Sequence, residues 1–237
     1  MPTSFTLATP IGDIAVALPP SIGVFERLGM DYCCGGSRTL AESAKAADAD
    51  AEAVLAELAG MQRSEDDRDW SEAPIPELLD HILSSHHEYT KQALPALWEM
   101  IRKVVNAHGE RHPELEQMRR IMGGLFQELD MHLQKEEQIL FPMIRALAEP
   151  GAGGAGPGGC PSGPEGPMTV MEAEHDSAGA ALRELRSLSA GYVLPEGACT
   201  TYQALFAGMQ DLEKDLHTHI HLENNVLHPR TRALMGL

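Results

Sequence analysis

Basic residues are scarce in this sequence. Lysine and arginine number 18 against 35 aspartates and glutamates, a formal net charge of −17. A phosphate backbone is gripped by a basic face, so nucleic acid is excluded as a primary partner. Aromatic residues make up only 5 %, although hydrophobic residues as a group reach 43 %. The apolar load falls on Ala, Leu and Met, which favours helices over strands. No apolar run approaches the roughly 18–20 residues that a membrane-spanning helix needs. Residues 1–20 lack the basic and apolar regions of a signal peptide. The four cysteines are badly placed for a disulfide framework: Cys33 and Cys34 are neighbours, Cys160 sits in a Gly/Pro tract and Cys199 stands alone. A bridge between neighbours is far from preferred disulfide geometry, so a reducing, cytoplasmic setting is expected.

What is present reads as helix. Residues 1–62 predict a small helical domain. In it Ser21–Leu28 is a short helix, with Ser21 as cap and Gly29 as stop. A loop, Asp31-Tyr32-Cys33-Cys34-Gly35-Gly36, follows it. Thr39 with Glu42 makes a capping-box pattern that opens the next helix, and Asp50 to Met61 reads as another. Residues 63–76 are charged, carry two prolines and read as a linker. Residues 77–237 predict a second domain whose four long helices run over about 75–106, 113–148, 168–188 and 200–234. Leu78, Leu79, Ile82, Leu94, Leu97, Ile101 and Val104 recur at helical spacing in the first. Pro95, Pro142 and Pro229 lie inside the pattern and predict kinks or interruptions. Residues 149–167 form a flexible Gly/Pro loop. The expected fold class is all-α: an up-down four-helix bundle preceded by a small helical domain.

The second domain repeats itself. His132-Leu133-Gln134-Lys135-Glu136-Glu137-Gln138-Ile139-Leu140-Phe141-Pro142 returns, altered, as His219-Ile220-His221-Leu222-Glu223-Asn224-Asn225-Val226-Leu227-His228-Pro229. Residues i and i+4 share a helix face, so each copy aims an imidazole and a carboxylate at one point. Upstream, His87 and His175 are each followed by leucines at offsets of seven and ten, and His87 precedes His132 by 45 positions as His175 precedes His219 by 44. Two copies of one helical hairpin thus supply His87, His132, Glu136, His175, His219 and Glu223. Four imidazoles and two carboxylates suit a pair of first-row metal ions, iron included. The glutamates would bridge the metals, two histidines would bind each, and positions would stay open for small ligands. Ligand chemistry alone also admits manganese or a mixed pair. The repeat register selects His219 over His217 and His221, and His87 over His86. His81, His108, His112, His217 and His228 are expected at the surface or behind the ligands. Glu128 and Asp215, each four residues before a ligand histidine, and Glu174 beside His175 are candidates for supporting those ligands or for an iron path; a solvated face is the bland alternative.

Three segments, HLQKEEQILFPMI (132–144), VMEAEHDSAG (170–179) and HIHLENNVLHPR (219–230), resemble the hemerythrin-like domains of the iron–sulfur cluster repair family, and DYCCGG (31–36) resembles that family's small N-terminal domain. The resemblance runs over nearly the whole chain. It implies that the six residues above hold two iron ions per chain, oxo- and carboxylate-bridged. It implies a cytoplasmic protein, a homodimer, that restores clusters damaged by nitric oxide or oxidants. Its partners would be damaged Fe–S proteins or the assembly machinery, with an electron donor the sequence does not name. Cys33 and Cys34 become candidate iron, NO or redox thiols, their reactivity favoured by a nearby helix N-terminus. Filling a small core is their bland alternative. Rival functions on the same ligands are a di-iron nitric oxide reductase forming N2O, and an O2/NO sensor or iron store.

Overall fold

The computed structural model describes residues 5–63, 68–148 and 163–237. Cys160 and most of the Gly/Pro loop lie outside these residues. Among the described residues the regular structure is helical, with one isolated bridge between Pro10 and Thr39. The helices are α1 (Ile11–Ala17), α2 (Ser21–Leu28), α3 (Leu40–Ala46), α4 (Ala51–Ala59), α5 (Ile75–His81), α6 (Glu88–His108), α7 (Glu114–Lys135), α8 (Phe141–Ala148), α9 (Glu165–Leu188), α10 (Thr200–Leu222) and α11 (His228–Met235). Single π-turns over Ile82–His87, Glu136–Leu140 and Glu223–Leu227 join α5 to α6, α7 to α8 and α10 to α11. None of these helices is long and apolar enough to cross a membrane. The chain divides into two compact units, one of Leu79–Leu216 and the other of the residues through Leu78 with His217–Leu237.

In the first unit α6, α7, α9 and α10 as far as Leu216 pack around one core. The stripe of α6 buries Leu94, Leu97, Ile101 and Val104, the three-and-four spacing that turns one helix face inward. Ile101, Val104, Leu115, Met118 and Leu205 are completely buried. Each such side chain contributes about 1.5–3 kcal/mol on burial, so apolar packing holds this bundle. The stripes of α7 and α9 do not stop at apolar residues. Leu125 and Leu129 lead to His132 on α7, and Met168 and Met171 lead to His175 on α9. The periodicity that builds the core therefore also carries the histidines inside.

The prolines do not end the helical runs. Pro142 and Pro229 sit near the starts of α8 and α11, and a π-turn precedes each. Proline has no N–H to give and its ring presses on the carbonyl four residues back. The chain answers with one wider turn: the N–H of Phe141 bonds back five residues to the Glu136 carbonyl, and that of His228 to the Glu223 carbonyl. Insertions of this kind concentrate at functional positions. Both begin on a candidate metal-binding glutamate.

In the second unit α1 to α4 surround Ile11, Ile14, Phe25, Tyr32, Leu40 and Leu58. Thr39 and Glu42 form the expected capping box on α3, and Asp50 caps α4 through the N–H groups of Glu52 and Ala53. Gly29 ends α2 in the left-handed conformation at φ 67°, which glycine adopts without steric cost. Ser21 does not cap α2. The cap position is Pro20, and Ser21 is the helix's first residue, fully buried. The C-terminal segment packs in the same unit. Glu26 of α2 meets His217, 2.7 Å from Nδ1, and Arg230 donates to the carbonyls of Trp70 and Ala73 at 2.6 Å each.

Candidate metal centre

His87, His132, Glu136 and His175 meet inside the four-helix unit. Glu136 and His87 have no exposed surface, and His132 and His175 are almost as buried. One carboxylate oxygen of Glu136 lies 3.2 Å from Nε2 of His132, and the other 3.4 Å from Nε2 of His87. Nε2 of His175 lies 3.1 Å from Nε2 of His132. Donor atoms of His132, Glu136 and His175 all fall within 4.8 Å of one another. A carboxylate buried this completely is costly unless a positive charge meets it.

The far sides of two rings explain how they are aimed. Nδ1 of His132 is 2.9 Å from Glu174, which also pairs with Lys135. Nδ1 of His87 is 2.8 Å from Glu137, which also takes a hydrogen bond from Lys91 at 2.6 Å. A neutral imidazole that donates from Nδ1 keeps its lone pair on Nε2, directed here at Glu136. Carboxylates in this position are the usual supports of metal-binding histidines. Partial burial works to raise Glu137 and Glu174, but the bonds from lysine and histidine outweigh it and hold both below the usual carboxylate range. Phe141 stacks on the ring of His87, centroids 5.4 Å apart.

His219 and Glu223 lie in the other unit, both buried, with Nε2 of His219 3.1 Å from the Glu223 carboxylate. The other histidines of this segment are engaged elsewhere. His217 is on Glu26. His221 packs on Tyr32, ring centroids 5.4 Å apart, and burial pushes it down to about 4. His86 is bonded through Nδ1 to Asp215 at 2.9 Å.

Of the three acidic residues singled out in the sequence, only Glu174 touches a candidate ligand. Asp215 serves His86, and Glu128 is exposed and accepts from Ser177 at 3.3 Å. His108 and His228 are buried, not at the surface. Glu137 went unrecognised in the sequence, though its place beside Glu136 set a second carboxylate next to the repeated motif.

Cys33 is buried and Cys34 partly exposed, their sulfurs 3.9 Å apart and not joined in a disulfide. Asp31 closes the loop by accepting from the backbone N–H groups of Cys34 and Gly35 at 3.0 Å, and it lies 3.5 Å from the Cys33 sulfur. At Cys33 the local surroundings work against a thiolate. Its bond to Cys34, its burial and the neighbouring Asp31 all push the thiol well above its ordinary value. The start of α3 is already satisfied by Thr39 and Glu42. Asp31, Cys33 and Cys34 nevertheless bring three donor atoms within 4.8 Å.

An all-α protein that gathers buried imidazoles around a buried carboxylate in one helical unit has a donor set of the kind a first-row metal such as iron accepts. Residues 78–231 match the hemerythrin HHE cation binding domain, and residues 7–62 match a domain of unknown function, DUF542. Relatives named "Iron-sulfur cluster repair protein YtfE" from Citrobacter koseri, Shigella boydii and Escherichia coli are each 38 % identical over 224 residues, 94 % of this chain and 96 % of theirs. The chain belongs to this hemerythrin-domain family of iron–sulfur cluster repair proteins.

Proposed function

We propose that this protein repairs iron–sulfur clusters damaged by nitrosative or oxidative stress, holding two iron ions and releasing or delivering iron for rebuilding. The observation that carries this reading is Glu136, wholly buried with one oxygen toward His87 and the other toward His132. That is the posture of a carboxylate that serves two cations. The sequence repeat supports the same role for Glu223 with His219, and for His175 as the counterpart of His87. The six residues are then the iron ligands, and the bound iron supplies metal in a form that a damaged cluster can take up. Glu137 and Glu174 hold His87 and His132 at the correct angle. Asp31, Cys33 and Cys34 form a second cluster of donors where iron in transit binds briefly.

The family relationship supports damaged Fe–S proteins as clients, the cytoplasm as location and a homodimer as the assembly. It also supports a division into residues 1–62, a linker at 63–76 and a hemerythrin-like domain at 77–237. Changing Glu136 or Glu223 to Leu tests the reading. Each variant should lose stoichiometric iron and fail to restore a nitric-oxide-inactivated Fe–S enzyme. Restoration equal to the parent's by an iron-free variant would refute it, and rapid multiple-turnover N2O formation by the parent would replace repair with nitric oxide reduction.

A further inference from the structure

The π-turns that begin at Glu136 and Glu223 are equivalent in the repeat but spend their side chains differently. After Glu136, Glu137 bonds His87 and Gln138 is exposed. After Glu223, both following residues turn to the thiol loop. Asn224 donates to the Cys33 carbonyl at 3.4 Å, and Asn225 donates to the carbonyls of Tyr32 and Cys33 at 3.2 Å each. The same amide nitrogen lies 3.1 Å from Nδ1 of His221, one turn back on α10. Its oxygen occupies a space that two glycines leave open. A Cβ at Gly12 would stand 2.6 Å from it and a Cβ at Gly36 2.3 Å. The backbone of these glycines is itself joined, Gly12 N–H to Gly36 carbonyl at 2.8 Å. One amide thus ties α1, the Tyr32–Gly36 loop and the turn that begins at Glu223.

We propose that Asn225 is a positioning residue that couples occupancy of the metal-binding turn to the accessibility of Cys33 and Cys34. Metal drawn onto Glu223 tightens the π-turn in which Asn225 sits. Because Asn225 holds the Cys33 carbonyl directly, the loop that presents both thiols follows. The thiols are closed while iron is held and released when iron leaves, which is the order that metal transfer through them requires. Two sites linked through one element that both bias make such coupling a free energy, and it acts in both directions. Gln138, with no loop to hold at the matching position, explains why only one half of the repeat carries the device.

This inference rests on Glu223 being an iron ligand. The test is carried out on the full chain with Cys160→Ser and Cys199→Ser, leaving only the paired thiols. Iodoacetamide labelling of Cys33 and Cys34 is timed by mass spectrometry in the anaerobic apo-protein and after loading with ferrous iron. Bound iron is measured in both. Apo-protein should label at least about fivefold faster than loaded protein. In Asn225→Ala, Asn225→Asp and Gly36→Ala, which remove the donor or expel the amide, the ratio should fall to one while iron is still bound. A residue that only packs would change both rates together and leave the ratio intact. If the parent binds iron and its thiols label equally in both states, the coupling is wrong and the iron site stands. The coupling is equally wrong if the variants keep the parent's ratio. If the parent binds no iron, the site and the coupling fall together.

Discussion

Glu174 precedes His175 in the chain, yet its carboxylate is bonded to His132, 2.9 Å from Nδ1. One residue of α9 therefore braces a histidine of α7, across the two halves of the repeat. Lys135 neutralises it from the other side. Glu174→Gln keeps the shape and removes the charge that favours an Nδ1–H donor. Metal affinity should drop by about 10–100-fold, measured by competition with a chromophoric chelator, with helix content unchanged. Equal affinity would show that Glu174 is an ordinary surface ion pair.

Ile101 lies in the apolar core of the four-helix unit with no exposed surface. Ile101→Ala should cost about 2–5 kcal/mol in urea unfolding of the apo-protein. Iron bound per folded chain should remain at the parent's value, because this core contains none of the candidate ligands. Loss of iron without loss of stability would mean that the bundle does not act as a rigid support.

The capping box on α3 gives a separate test on the small helical domain. Removing the hydroxyl in Thr39→Ala should cost about 1 kcal/mol of stability, read from the denaturant midpoint. Hydrogen bonds from the backbone and then the side chain of Thr39 hold Glu42 below its ordinary value. A carboxylate depressed by folding stabilises fully above its unfolded value, and that contribution disappears as pH falls through the folded one. The midpoint difference between the parent and Glu42→Gln should hold constant at neutral pH. It should shrink as acid passes below the usual glutamate value of about 4.3. A difference independent of pH would remove the charge from the explanation.

The helices and the candidate ligands could be read from the sequence because they rest on spacing. Apolar periodicity marked the buried stripes, and the His-x-x-x-Glu repeat continued those stripes into the interior. The start of α9 at Glu165 rather than at Met168 is a shift at a helix end, where periodicity carries little information. The π-turns at Glu136–Leu140 and Glu223–Leu227 were hidden because proline signals strain without saying how the chain relieves it. Glu137, Asn224 and Asn225 were hidden for another reason. Their partners are His87 and the Cys33 carbonyl, distant in sequence, and a backbone carbonyl leaves no trace in residue identity. The helix N-terminus near the Cys33–Cys34 pair is taken up by Thr39 and Glu42, and Asp31 adds negative charge beside the Cys33 sulfur, neither of which the spacing of residues reveals.

A pair of irons on one chain is tested most directly by Mössbauer spectra with metal analysis of protein purified anaerobically without added metal. Two antiferromagnetically coupled irons per chain in the parent, both lost in Glu136→Leu and in Glu223→Leu, are the expected result. A single isolated iron, a different metal at full occupancy, or a coupled pair that survives both substitutions would contradict it.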